Sequence, residues 1–109
     1  MIDRQEMLLI QLMEEAGEVV QAASKVLRFG PTHTWPNHEG AASQRLENEI
    51  IDLMALVSML QDEGILSQWT RSVWGADMWE RIQVKERKVN LYMETSKELG
   101  RVQRWDRDQ

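Results

Sequence analysis

The chain has 109 residues and a mass of 12.8 kDa, which is room for one domain. Its hydrophobic fraction of 42% and charged fraction of 28% exclude disordered, collagen-like and membrane-spanning classes, and the absence of cysteine excludes disulfides and thiol nucleophiles. With 18 acidic against 13 basic residues, the formal net charge is -5, which argues against polymeric nucleic acid as a partner.

The first predicted element is a helix from Arg4 to Phe29. Asp3 is suited to cap it, apolar residues recur at a spacing near 3.6, and Gly30 and Pro31 end it. The only early apolar run within it is four residues long, too short for a secretory or membrane-spanning segment. We therefore expect a cytoplasmic protein with no membrane partner.

The stretch from Gly30 to Ala42 is predicted to be a loop, because it contains two prolines and two histidines and has no periodicity. Long ordered loops such as this one are often functional.

A second helix is predicted from Ser43, as N-cap, to Gly64.

The last part of the chain is predicted to hold a turn or short helix at residues 65–76 and a third long helix from Asp77, as N-cap, to about Glu98. No pattern predicts a strand. The fold class is therefore all-α: a helical bundle of three long helices plus a short one, in a single domain spanning residues 1–109. The first helix is apolar around almost its whole circumference near its start, so we expect dimerisation to complete the bundle, in a homodimer or homotetramer.

Four carboxylates stand in two pairs, Glu15 with Glu18 on the first helix and Glu49 with Asp52 on the second. Their i, i+3 spacing puts both members of a pair on one helix face, about 5 to 6 Å apart at Cβ. Asp52 lies in an apolar stretch, where burying an unpaired carboxylate costs several kcal/mol, so a cation is expected to compensate it. Two alternatives stay open: Asp52 forms an ion pair with an Arg or Lys of another helix, or the acids of the first helix form a solvated face.

The donor atoms limit which metal would bind. A di-iron site requires Glu-x-x-His on paired helices, and zinc favours His or Cys. Neither pattern occurs, since His33 and His38 are both in the loop. A site made only of carboxylates selects Mg²⁺, with Mn²⁺ as a substitute, and leaves positions for water and substrate phosphates.

Two segments resemble the EExxE and ExxD motifs of the MazG-like all-α nucleotide pyrophosphohydrolases: Glu14-Glu15-Ala16-Gly17-Glu18 and Glu49-Ile50-Ile51-Asp52. The similarity, to small phage-type members, extends over about Leu9 to Ser96. The chain departs from the family in its long linker between the motifs and in Ile51, where many members have glycine.

The resemblance implies that Glu15, Glu18, Glu49 and Asp52 bind Mg²⁺ ions that hold a nucleoside triphosphate substrate. Water then attacks a phosphorus, and pyrophosphate leaves. Glu18 and Glu15 are the candidate catalytic residues, and Glu18 is the preferred acceptor of the water's proton.

Basic residues are candidate phosphate ligands. Lys85, Lys88 and Tyr92, at i, i+3 and i+7, form one stripe of the third helix, and Lys25 follows Glu18 by seven residues on the first. Lys25 also lies near the end of its helix, where cations are favoured for another reason.

Base recognition is assigned to the loop and the first helix. Trp35 is the candidate for stacking on a base, Asn37 and His38 carry groups that could read its edge, and Gln11 lies one turn before Glu15. The alternative is that the loop is an exposed connection whose tryptophan packs on a neighbouring subunit.

The function expected from these features is Mg²⁺-dependent hydrolysis of nucleoside or deoxynucleoside triphosphates to monophosphate and pyrophosphate, in nucleotide-pool control. The alternative is a non-catalytic helical interaction module that retains the fold.

Overall fold

The computed structural model describes residues 1–69 and 78–100 and contains three helices in these ranges: α1 (Arg4–Phe29), α2 (Ala42–Asp62) and α3 (Trp79–Glu98). The described ranges contain no strand, so the predicted all-α class is confirmed. None of these helices is long and apolar enough to cross a membrane. The chain forms two compact units, Met1–Gln68 and Trp69–Gln109, and each is described by itself. The prediction of a single domain stays a prediction.

Helix α1 begins and ends where the sequence predicts. The Oδ1 atom of Asp3 accepts a hydrogen bond from the Glu6 amide at 2.8 Å, which satisfies one of the free amides of the first turn. At the other end, Gly30 has φ 90° and donates its amide hydrogen to the Val26 carbonyl at 2.9 Å. Glycine adopts a positive φ at little cost, and it therefore ends the helix.

Helix α2 begins earlier than predicted, and Ser43 is not its N-cap. Ala41 occupies that position, and because alanine has no accepting side chain, the cap hydrogen bond runs instead from the Ala41 amide to Gln44 Oε1 at 2.8 Å. Ser43 is already in the first turn, where its amide donates to the Pro31 carbonyl at 3.0 Å. The loop carbonyls thus tie residues 30–41 to the start of α2.

Helices α1 and α2 pack as an antiparallel hairpin. Arg4 at the start of α1 forms an ion pair with Glu63 just after α2. Leu8 and Leu60 are buried near this open end, whereas Ala22 and Ala42 are buried near the loop. The buried side chains are therefore large at the open end of the hairpin and small at the loop end.

One helix alone cannot cover the apolar surface of the other, and several large apolar side chains remain exposed in the chain. Of the apolar residues near the start of α1, Leu8 is buried but Met13 is 66% exposed; further along, Val20 is 68% exposed. On α2, Ile51 is 58% exposed. The expectation that Asp52 is enclosed by apolar neighbours is therefore wrong for the chain by itself: Asp52 is exposed, because the neighbours that would enclose it are themselves uncovered.

Helix α3 ends at Glu98 as predicted, and Gly100 follows with φ 72°. Its predicted N-cap, Asp77, lies outside the described residues, as do residues 70–76 of the predicted short helix. Residues 65–69 of that segment are not helical; instead, the amides of Ile65 and Leu66 both donate to the Leu60 carbonyl.

Candidate metal centre and adjoining cleft

Three carboxylates from the two helices of the hairpin converge. Glu15 on α1 and Glu49 and Asp52 on α2 each offer a carboxylate oxygen, and these oxygens lie within 4.8 Å of one another. Glu15 and Glu49 are half-buried, whereas Asp52 is exposed. Glu15 of the first predicted pair therefore faces both members of the second pair, Glu49 and Asp52, across the hairpin.

Glu18, the fourth predicted ligand, is not part of this cluster. It lies about one helix turn beyond Glu15 in the direction of the loop. Its side chain is exposed and lines the adjoining cleft together with Glu49. The structure thus brings three of the four acids together and leaves Glu18 at their edge.

The negative charges of the cluster are not compensated within the described part of the chain. Burial of Glu15 raises the pKa of its carboxyl group above the ordinary value, and the charges of Asp52, Glu49, Glu18 and Glu14, in that order, raise it further. The single ion pair among the described residues joins Arg4 to Glu63, so Asp52 has no Arg or Lys partner there.

The chemistry of the donors fits a hard divalent cation. All three converging ligands are carboxylates, and neither histidine of the loop belongs to the cluster. Oxygen-only sites suit Mg²⁺ and Mn²⁺, whereas zinc and di-iron sites require histidine or cysteine ligands that this site lacks. Glu15, Glu49 and Asp52 are therefore suited to hold Mg²⁺.

A cleft adjoins the cluster on its loop side. Its walls come from α1, the loop and α2, and the residues that line it are Glu18, Gln21, Ala22, Lys25, Trp35, Ala42, Arg45 and Glu49. Its lining is acidic near the cluster and basic and aromatic near the loop. A second hollow next to it shares Lys25, Trp35 and Arg45 with the cleft and adds His38.

Trp35 is held in this wall by aromatic packing. Its ring lies nearly perpendicular to those of Phe29 and His33, with centroids 5.7 and 4.7 Å away, and these two rings stack on each other at 5.2 Å. The guanidinium carbon of Arg45 lies 5.7 Å from the Trp35 ring centroid. The loop thus contributes a half-buried aromatic side chain to the wall of the cleft.

The other predicted site residues do not line the cleft. Gln11 is exposed on α1, and Asn37 is exposed in the loop with φ 65°. In the second unit, Lys85 and Lys88 line a shallow hollow of α3, and Tyr92 is 72% exposed on the same helix. The base-binding and phosphate-binding roles of these residues stay predictions.

Arg45 and Gln21 line the cleft although the acid motifs do not include them. A signal for Arg45 was present in the sequence, because it stands four residues before Glu49 and therefore on the same face of α2. Gln21 similarly stands three residues after Glu18 and therefore on the same face of α1.

Comparisons with protein-family models, with curated proteins and with solved structures give no match. The acid cluster and the basic side chains of Lys25 and Arg45 lie in one groove of the hairpin.

Proposed function

We propose that the protein is a MazG-like pyrophosphohydrolase that converts nucleoside or deoxynucleoside triphosphates to monophosphate and pyrophosphate with the help of Mg²⁺. The observation that carries this proposal is the convergence of the Glu15, Glu49 and Asp52 oxygens within 4.8 Å beside a cleft that also holds Lys25 and Arg45. A magnesium–triphosphate complex combines the two charges that such a site would bind.

Glu15, Glu49 and Asp52 would hold the metal, with Glu18 as a further ligand at the edge of the cluster. Bound there, Mg²⁺ or Mn²⁺ would lower the pKa of a coordinated water and neutralise charge on the phosphates. The raised pKa of Glu15 supports this assignment, because a cation would relieve the mutual repulsion of the acids that contributes to it.

The remaining roles in hydrolysis are proposed for individual side chains. Hydrolysis to a monophosphate and pyrophosphate breaks the anhydride between the α and β phosphates, with water adding its oxygen to phosphorus. We propose that Glu18 accepts the proton of that water; its position in the cleft lining, outside the tight cluster, supports this role. Lys25, which lines the cleft, would contact the phosphates. The same role for Lys85, Lys88 and Tyr92 of α3 stays a prediction from the sequence.

We also propose that the active form is a homodimer or homotetramer. Exposed apolar residues on both α1 and α2, including Val20 and Ile51, need a partner surface to remove them from water. A role in nucleotide-pool control would place the enzyme in the cytoplasm.

The alternative function is a non-catalytic helical interaction module. The same exposed apolar residues favour it, since they could bind another protein rather than a second copy of this chain. The two functions differ in whether the acid cluster turns over a substrate.

The test is to incubate the protein with a panel of nucleoside and deoxynucleoside triphosphates and Mg²⁺ and to identify the products by phosphorus NMR. We expect pyrophosphate and a monophosphate, and no product after chelation of the metal. For substitutions in the acid cluster, Glu47→Gln is the matched control, because Glu47 is an acid of α2 that does not line the cleft. Absence of hydrolysis across the whole panel would reject the enzyme in favour of the interaction module.

A further inference from the structure

Arg45 lies in the cleft, on the loop side of the acid cluster. It stands on α2 four residues before Glu49, which places it about 6 Å from the acid cluster along the helix axis, toward the loop. Its side chain lines both the cleft and the second hollow next to it. A group bound at the acids and a group bound at Arg45 would therefore lie in one continuous groove.

Trp35 lies against the Arg45 side chain. The guanidinium carbon is 5.7 Å from the ring centroid, within the range of about 6 Å over which a cation interacts with an aromatic face. Trp35 is itself held by Phe29 and His33, and the loop is tied to α2 by the hydrogen bond from the Ala42 amide to the His33 carbonyl at 2.9 Å. Arg45 thus lies against a tryptophan that two further aromatic rings contact.

The donors of Arg45 remain available to a ligand. A guanidinium packed on an aromatic ring keeps the N–H groups of its edge free for planar, bidentate binding of an oxyanion. Among the described residues, no carboxylate forms an ion pair with Arg45. Lys25 lines the same end of the cleft and adds a second positive charge.

We propose that Arg45, supported by Trp35 and joined by Lys25, binds the pyrophosphate part of the triphosphate, that is, its β and γ phosphates. This inference rests on the proposed function and adds a residue and a specificity to it. The metal site alone recognises any phosphate near the acids, whereas an anion site about one turn away requires a longer chain. Arg45 therefore selects triphosphates over monophosphates, whichever phosphorus is attacked, and Trp35 is its positioning residue.

The experiment is to titrate the Mg²⁺-loaded protein with inorganic pyrophosphate and with a nucleoside monophosphate by calorimetry, and to measure kcat and KM for a triphosphate. In Arg45→Gln, we expect the Kd for pyrophosphate and the KM for the triphosphate to rise about tenfold to a hundredfold, the range expected for lost charge-assisted hydrogen bonds. The Kd for the monophosphate should not change.

Arg28→Gln is the matched control. Arg28 also packs on an aromatic ring, with its guanidinium carbon 5.3 Å from the Phe29 centroid, but it does not line the cleft. We expect this variant to bind pyrophosphate like the wild type. Arg45→Lys, which keeps the charge and loses the planar donors, should fall between the wild type and Arg45→Gln and serves if Arg45→Gln does not fold.

The positioning role of Trp35 has its own readout. Trp35→Ala should raise the Kd for pyrophosphate, Trp35→Phe should restore most of the affinity, and Trp35→Ala should have little further effect in an Arg45→Gln background. A double variant whose losses add fully would reject this role.

Two failures are distinguishable. If the wild type hydrolyses triphosphates and Arg45→Gln binds pyrophosphate as tightly as the wild type, the inference is wrong and the proposed function stands. If the wild type hydrolyses no nucleotide, the proposed function is wrong, and the pyrophosphate titrations still decide whether an anion site exists at Arg45.

Discussion

Glu15 of α1 and Asp52 of α2, which belong to different motifs of the sequence, present carboxylate oxygens no more than 4.8 Å apart. Two like charges this close weaken the packing of the hairpin that brings them together. The raised pKa of Glu15 reflects this repulsion in addition to burial. The cluster therefore reduces the stability of the metal-free fold, and this reduction is the basis of the first two predictions.

Asp52→Asn is expected to separate catalysis from stability. The substitution is nearly isosteric and removes one charge from the cluster, so the free energy of unfolding without metal should stay equal or rise. Turnover should fall by about 100-fold or more, because the amide is a poor replacement for an anionic ligand. Thermal denaturation in chelator and steady-state hydrolysis with Mg²⁺ measure the two effects.

Glu47→Gln provides the comparison for this variant, since it removes one acid from α2 outside the cluster. It should leave turnover unchanged. If Asp52→Asn instead unfolds the protein while turnover per folded molecule is preserved, Asp52 is a structural residue and the proposed metal site is wrong.

Glu15→Gln is expected to change how stability depends on pH. The pKa of Glu15 is higher in the folded than in the unfolded chain, so between these two values the folded chain holds a proton that the unfolded chain has released. The contribution of Glu15 to stability is therefore present at low pH and lost as pH rises through its folded pKa. Urea denaturation of the metal-free protein from about pH 4 to about pH 7 should show a steeper loss in the wild type than in Glu15→Gln.

Saturating Mg²⁺ extends this test, because bound metal compensates the ionised acids at neutral pH. It should raise the melting temperature of the wild type more than that of Glu15→Gln. Parallel pH profiles for the two proteins would show that Glu15 is not coupled to the other acids.

Local signals explain why the hairpin could be predicted from the sequence. The Asp3 cap and Gly30 act within one turn of the residues they define, and an i, i+3 pair such as Glu49 and Asp52 shares a face in any α-helix. The residue pattern places the start of α2 too late, because Gln44, rather than Ser43, supplies the cap hydrogen bond.

Non-local relationships could not be predicted in the same way. The contact between Arg45 and Trp35 depends on how the loop folds back on α2, which no spacing encodes. The position of Glu18 at the edge of the cluster could not be predicted either. The i, i+3 spacing fixes the helix face on which a residue lies, but not how far its side chain reaches. The exposure of Asp52 could not be predicted because an apolar stretch does not reveal which surface covers it.

The oligomeric state gives a third prediction. We expect light scattering at micromolar concentration to give two or four times the chain mass of 12.8 kDa. Val20→Glu places a charge on an α1 residue that is 68% exposed, and it should shift the protein toward the monomer, because burying an unpaired carboxylate in an interface is unfavourable.

Ser43→Glu is the control for the added charge, since Ser43 is an exposed polar residue at the start of α2. It should leave the measured mass of the assembly unchanged. A wild-type mass of about 12.8 kDa at micromolar concentration would contradict the prediction and leave the exposed apolar residues for a different partner.

The last prediction concerns how the base is chosen. Metal ligands and basic side chains contact phosphates, which all nucleotides share, so discrimination requires groups that reach the base. In the loop, Asn37 carries an exposed side chain on a backbone with φ 65°, two residues after Trp35. Asn37→Gly removes the amide without backbone strain, because glycine accepts this φ. It should change the ratio of kcat/KM between bases and leave the Mg²⁺ affinity unchanged.

Trp35→Ala completes this test by separating stacking on the base from support of Arg45. If Trp35 stacks on the base, its removal should weaken nucleoside monophosphate binding by about 1 to 3 kcal/mol. If it only supports Arg45, monophosphate binding should stay the same while pyrophosphate binding weakens. Should Asn37→Gly and Trp35→Ala both hydrolyse every nucleotide with unchanged relative rates, the loop does not select the base, and Gln11 on α1 becomes the residue to substitute next.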